Sequence, residues 1–192
     1  MNNVVLTGKL IVIVAPSGTG KSTMIKRLKN DFPSLVESVS YTTRTIRNGE
    51  VHGESYFFIN KEEFLIMRDK NEFLEWAEVH GNYYGTSKQF VEKCLGEGKH
   101  LLFDLDVQGT DSMKTYFGEK ANVIFISPPS VEELEKRLRN RGTEATHIIN
   151  LRLLNAKNEL LRKHDYDFLI YNDDIEKAYS NLKEITASIL QK

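Results

Sequence analysis

Eight consecutive residues, Ala15-Pro-Ser-Gly-Thr-Gly-Lys-Ser22, combine two glycines, a lysine and a hydroxyl in an order suited to gripping a polyphosphate. The run fits G-x-x-x-x-G-K-[ST], except that Ala15 stands where the first glycine is expected. Gly18 and Gly20 let successive backbone N–H groups converge on phosphate oxygens, and a helix beginning there would add the positive end of its dipole. Lys21 would neutralise the β- and γ-phosphates of a nucleoside triphosphate, and the Ser22 hydroxyl would ligate Mg2+. Ala15, Pro16, Ser17, Gly18, Thr19, Gly20, Lys21, Ser22 and Thr23 are therefore the candidate ATP-binding residues. Downstream, Leu101-Leu-Phe-Asp104 has the form of a strand ending in a carboxylate, a second possible metal contact at Asp104. An ordinary glycine turn would require neither the lysine nor the hydroxyl in register.

A phosphate loop specifies the donor but not the acceptor. Ser38-Val-Ser-Tyr-Thr-Thr-Arg44, Arg47, Gly49-Glu-Val-His-Gly53 and Tyr56 form one polar cluster, and Glu75 with Asn82-Tyr-Tyr-Gly-Thr-Ser87 forms another. Arginine forks and tyrosine hydroxyls suit a phosphate monoester. A carboxylate suits guanine, whose N1 and N2 present adjacent donors, whereas adenine would leave that carboxylate unpaired.

Taken in order, these motifs make the chain resemble a guanylate kinase over essentially its whole length. The resemblance is carried by the phosphate loop, Ser40-Tyr-Thr-Thr-Arg44 with Arg47, and Gly49-Glu-Val-His-Gly-Glu-Ser-Tyr56. It continues through Gly81-Asn-Tyr-Tyr-Gly-Thr86, Asp104-Leu-Asp-Val-Gln-Gly109 and Arg137-Leu-Arg-Asn-Arg-Gly-Thr143. It departs from the family pattern at Ala15 and at Ile46, where proline is usual, and neither change removes a charged or hydrogen-bonding group. The resemblance implies that Arg44, Arg47, Tyr56 and Tyr84 hold the GMP phosphate and that Ser40, Glu75, Thr86 and Asp106 read the guanine. It assigns Asp104 to the metal and acceptor side, and Arg137, Arg141 and Arg152 to a mobile lid and its flanks, catalytic together with Lys21 and Arg44. The implied reaction is Mg-dependent transfer of the γ-phosphoryl of ATP to GMP, and to dGMP as well, within purine nucleotide metabolism.

These residues need a scaffold. Leu10-Ile-Val-Ile-Val14 is continuously apolar, as a strand buried on both faces should be, and Met24, Ile25, Leu28 and Phe32 follow at helical spacing over Ser22 to Phe32. The alternation returns: strand His100 to Leu105, helix Val107 to Phe117, strand Asn122 to Ser127, and a helix capped by Ser130 with Glu133 three residues on. A helix over Ile148 to His164, a strand over Phe168 to Tyr171 and a helix over Asp174 to Leu190 complete it. This predicts an α/β fold: a P-loop NTPase-type parallel sheet of about five strands covered by helices. Residues 36–93 break the rhythm with short alternating runs (Val36 to Tyr41, Ser55 to Ile59, Phe73 to His80), and are expected to form a small mixed β GMP-binding subdomain. That leaves 1–35 and 94–192 as the core with a helical lid at 137–153, one folding domain in all.

Composition bounds the alternatives. With 26 Lys+Arg against 27 Asp+Glu the net charge is −1, which argues against a nucleic-acid-binding surface. The even total conceals a basic stretch, Leu134 to Lys163, and an acidic one, Glu62 to Glu92. The single Cys94 excludes an internal disulfide and fits a reducing, cytoplasmic setting, and no apolar run approaches the ~20 residues of a membrane span. The five histidines lack metal-ligand spacing, His52 is read as ordering a turn, Arg139 and Arg162 as solvated helix positions, and Tyr83 equally as core or site. The rival readings are a catalytically inactive guanylate-kinase-like protein-binding domain, a sugar-phosphate kinase and a GTPase switch. The first typically loses the donor loop, the second has no need of Glu75 with Thr86 and Asp106, and the third has no second anion site. Monomer and homodimer both stay open.

Overall fold

In the computed structural model, residues 6–79, 81–140 and 146–191 are described. Strand β1 (Leu10–Val14) is buried at every position, as its unbroken aliphatic sequence requires. It is the central strand of a five-stranded parallel sheet ordered β2-β7-β1-β8-β9, with β2 at Leu35–Glu37, β7 at His100–Leu105, β8 at Ala121–Ser127 and β9 at Phe168–Tyr171. The helices expected from the periodicity are α1 (Lys21–Asp31), α4 (Val107–Phe117), α5 (Val131–Asn140), α6 (Thr146–Leu161) and α7 (Ile175–Gln191). Ser130 Oγ accepts from Glu133 N at 3.1 Å, which is the predicted cap of α5. Asp174 caps α7 in the same way, its Oδ1 accepting from the N–H groups of Glu176 and Lys177.

The alternating run from Val36 to Tyr41 divides between two sheets. Leu35–Glu37 pairs with β7, whereas Tyr41–Thr42 is β3 of a four-stranded mixed sheet, β4-β3-β6-β5. Its other strands are β4 (Phe57–Phe58), β5 (Phe73–Val79) and β6 (Asn82–Ser87). The stretch expected to be a small β-subdomain also contains two helices, α2 (Lys61–Asp69) and α3 (Lys88–Gly96). Both carry a local start signal: Asn60 and Glu63 form a reciprocal capping box, and Ser87 Oγ accepts from Phe90 N.

Aromatic stacking holds α2 against the mixed sheet. Phe64 lies 4.5 Å from Phe73 and 5.3 Å from Tyr83, ring centre to ring centre, both nearly parallel. Tyr83 is thus a core residue. Gly85 makes room for the stack, since a Cβ there would stand 2.9 Å from Phe73 Cδ1 and 3.1 Å from Phe64 Cζ.

The chain forms two compact units. One comprises Leu35–Phe103, Gln108–Ala121 and the N-terminal stretch to Leu10, and includes the mixed sheet. The other comprises Ile11–Ser34, Asp104–Val107 and the chain from Asn122 on, with the phosphate loop.

Candidate functional site

In the second unit, β1 delivers the chain into the loop and Gly20 turns it into α1. Gly20 sits at φ 97°, a left-handed conformation that a Cβ-bearing residue rarely adopts, and a Cβ there would also approach Asn172 Nδ2 to 3.0 Å. A cavity of about 340 Å³ opens at the loop, lined by Ala15, Pro16, Ser17 and Gly18, then Gly20 to Thr23, with Asp106 and Glu159. The first N–H groups of α1 have no partner within the helix, so this is the end where an anion is favoured.

Thr19, one of the expected ATP contacts, does not line this cavity. Its buried hydroxyl donates to the Pro16 carbonyl at 2.5 Å and its N–H to the same oxygen at 3.2 Å, so it shapes the loop without lining the cavity. The Thr19 carbonyl in turn accepts from Asn172 Nδ2 at 2.6 Å. Asn172 is 3 % exposed; its N–H donates to the Ser127 carbonyl, and its own carbonyl accepts from Arg137 Nη2 at 3.2 Å. Sequence reasoning missed this residue. The only signal was a polar side chain directly after an apolar strand, which many surface turns share.

Lys21 Nζ makes an ion pair with Asp104 Oδ1 at 2.5 Å and donates to the Leu105 carbonyl at 3.1 Å. The strand-end carboxylate and the loop lysine are thereby brought together. Arg152 Nη1 donates to Ser17 Oγ at 2.8 Å, tying α6 to the loop, while Arg137 also pairs with Glu133. Arg141 lies outside the described residues. Glu159, on α6, had no place in the sequence reading, because its neighbours in the chain are unremarkable helix positions. Burial pushes its carboxyl above the ordinary value; Lys21 opposes the rise and Asp106 adds to it.

In the first unit, two groups of polar residues gather on the mixed sheet. The β5–β6 register sets Glu75 opposite Thr86, whose hydroxyl donates to Glu75 Oε1 at 2.5 Å, with Ser40 Oγ 3.5 Å from Thr86 Oγ1. In the second group Arg44 makes a two-pronged pair with Glu50 at 2.7 and 3.0 Å, and its guanidinium lies 5.5 Å from the centre of the Tyr56 ring. Tyr56 and Tyr84 meet edge to face at 6.0 Å. The Arg44 fork, and secondly the Arg47 N–H at 2.8 Å, hold the Glu50 carboxyl below its ordinary value. The Arg47 side chain is exposed; its N–H bonds Glu50, and its charge acts on the same carboxylate.

The residues given structural readings behave accordingly. His52 Nδ1 accepts from Phe58 N at 3.2 Å, ordering the turn before β4. Arg139 pairs with Glu135 on the exposed side of α5, whereas Arg162, expected within a helix reaching His164, lies in the turn after α6 ends at Leu161 and pairs there with Asp165. Cys94 is buried.

Comparison with known proteins agrees in family. The guanylate kinase family model matches residues 7–189. A guanylate kinase of Nitratidesulfovibrio vulgaris is 49% identical over 177 residues, 92% of this chain and 85% of that protein. One of Prochlorococcus marinus is 45% identical over 179 residues, 93% and 97% of the two chains. The crystal structure of guanylate kinase from Anaplasma phagocytophilum superposes with a TM-score of 0.70 at 33% identity, covering 97% of this chain and 88% of that one.

Proposed function

This chain belongs to the guanylate kinase family, which makes it an ATP:GMP phosphotransferase, and from that premise we propose which residues do the work. Residues 36–93 receive GMP. Residues 1–35 and 94–192 bind ATP, with 137–153 as lid. Loop residues 15–18 and 20–23 cradle the donor phosphates and Lys21 neutralises them, with Thr19 supporting the loop.

The donor set near the loop suits Mg2+: the Ser22 hydroxyl and the Asp104 carboxylate are hard oxygen ligands, and Mg2+ is commonly held by one or two carboxylates plus substrate phosphates. Bound Mg2+ would offset charge on the β- and γ-phosphates. Arg44, Arg47, Tyr56 and Tyr84 hold the GMP phosphate, while Ser40, Glu75 and Thr86 read guanine, joined by Asp106 on the family pattern. A phosphate oxygen of GMP is already an oxyanion, so the attack needs no strong general base. The protein's task is to bring two polyanions into line, exclude water and offset their repulsion, in which Arg137, Arg141 and Arg152 assist Lys21. On the family resemblance, dGMP is proposed as a second acceptor. Both substrates are dissolved nucleotides, which supports a cytoplasmic location.

One observation carries the acceptor assignment: Glu75, Thr86 and Ser40 present a carboxylate and two hydroxyls side by side on one sheet face. A panel of GMP, dGMP, AMP, UMP and CMP with ATP and Mg2+ tests it. ADP release is expected with GMP and dGMP and at background with the others; equal turnover of AMP overturns the assignment.

A further inference from the structure

Helix α6 is apolar on two sides. Ile149, Leu153 and Ala156 are buried against Leu134 and Leu138 of α5, the ordinary task of such a stripe. Elsewhere on the helix Leu154 and Leu161 stand 57 % and 82 % exposed, two turns apart in one row. Leu161 is the most exposed large apolar side chain among the described residues. Scattered surface leucines are normal, but this row borders a cavity of about 600 Å³ bounded by α5 and α6, with Val131, Leu153, Leu160 and Leu161 in its lining. The two walls differ in charge. Glu132 and Glu135 line the cavity from α5, Lys157 from α6 and Lys163 from just beyond it. Within the chain Lys157 acts on Glu132, Glu135 pairs with Arg139 at 2.7 Å, and Lys163 lies over the Tyr171 ring. At the protein surface such contacts are weak and readily exchanged.

We infer that this face, centred on Leu154, Lys157 and Leu161, joins two copies of the chain as a two-fold dimer. An acidic wall beside a basic one, with leucines between, is complementary to itself after a half-turn. Under a two-fold axis the α5 glutamates of each copy meet the lysines of the other, and Leu161 of each enters the other's cavity. A partner of one charge sign would match one wall and be repelled by the other. Two leucines and one cavity mouth fall short of the roughly 800 Å² per partner of a standard interface, so the dimer is weak and forms in the micromolar range. Leu154, Lys157, Leu161, Glu132 and Glu135 all lie outside the lid proposed at 137–153, so pairing and turnover are separable.

The test is sedimentation velocity of the full chain from low micromolar to several hundred micromolar. Wild type should pass from monomer to dimer across this range. Leu161→Ser, Lys157→Glu and Glu135→Lys should each raise the dissociation constant by roughly tenfold or more. A mixture of the Lys157→Glu and Glu135→Lys proteins should associate more tightly than either alone, because only in the mixed pair do both contacts join opposite charges. Turnover by each variant at high dilution, unchanged from wild type, shows that it is folded. Should a charge-reversed variant fail to fold, Leu161→Ser carries the test, since its position is 82 % exposed. A monomer at every concentration overturns the inference, as does a dimer that these substitutions leave intact or a mixture no tighter than its components. A monomer whose cavity takes up the amphipathic dye anilinonaphthalene sulfonate, with uptake lost in Leu161→Ser, assigns the cavity to a small molecule and equally overturns it.

Discussion

Replacing Asn172 with alanine isolates the contact that holds the phosphate loop from behind. The substitution leaves the backbone bonds of residue 172 to Ser127 and Arg137 in place and deletes only the amide that donates to the Thr19 carbonyl at 2.6 Å. Thr19 is 1 % exposed, so water does not readily replace the lost donor. An unsatisfied buried carbonyl costs about 1–3 kcal/mol, and the space left by the amide adds to it, so a loss of about 2–3 kcal/mol is expected. For a chain of this size that corresponds to a fall in melting temperature of roughly 4–12 °C. The loop should also lose its shape, raising the KM for ATP while leaving GMP binding unchanged, because the contact lies wholly within the unit that carries the loop. Asn172→Asp should be worse at neutral pH, since a carboxylate oxygen would face the Thr19 carbonyl, and should recover in part on acidification. Differential scanning calorimetry and ATP titration measure both effects. A melting temperature within about 1 °C of wild type, with unchanged ATP affinity, would refute the reasoning.

Lys21→Ala should abolish turnover while GMP still binds in titration; near-normal activity would remove Lys21 from the donor site. Glu75→Gln should weaken GMP relative to AMP in a competition assay, by about 10-fold or more given the mismatch created at a hydrogen-bonded base edge. Glu50 is held below the ordinary carboxylate value by Arg44, so its contribution to stability is present above that ordinary value and is lost as pH falls through the lower folded value. Glu50→Gln should therefore flatten the acid limb of a stability profile measured by urea midpoints; parallel profiles for the two proteins would contradict this.

Much of this molecule was legible because its chemistry is local in sequence. The loop from Ala15 to Thr23 is contiguous, β1 is uniformly aliphatic, and Ser130 with Glu133 states where α5 begins. The rest depends on partners far apart in the chain. Thr19 reads as one more loop residue until Asn172, 153 positions away, is seen to hold its carbonyl. Glu159 gains meaning only because α6 carries it to the cavity beside Asp106. The split of residues 36–41 between two sheets is set by pairing with β7 and β6, which no alternation within six residues can specify. Helix α2 is a different case: Asn60 and Glu63 announce its start, but the aromatic residues around it suggested strand.

The Arg44–Glu50 pair has a consequence for which anions can occupy that arginine. Glu50 is tethered six residues away, so the guanidinium meets a carboxylate at an effective concentration at least on the order of millimolar before any solute arrives. Chloride, acetate and other monovalent anions of the medium compete with a resident that never diffuses off. A phosphate monoester brings greater charge and several acceptor oxygens, and can draw at once on Arg44 and the neighbouring tyrosine hydroxyls. At the phosphate site proposed here, the internal ion pair would thus act as an entry threshold, keeping the arginine ordered and masked from the salt of its surroundings until a multidentate anion displaces or shares its partner.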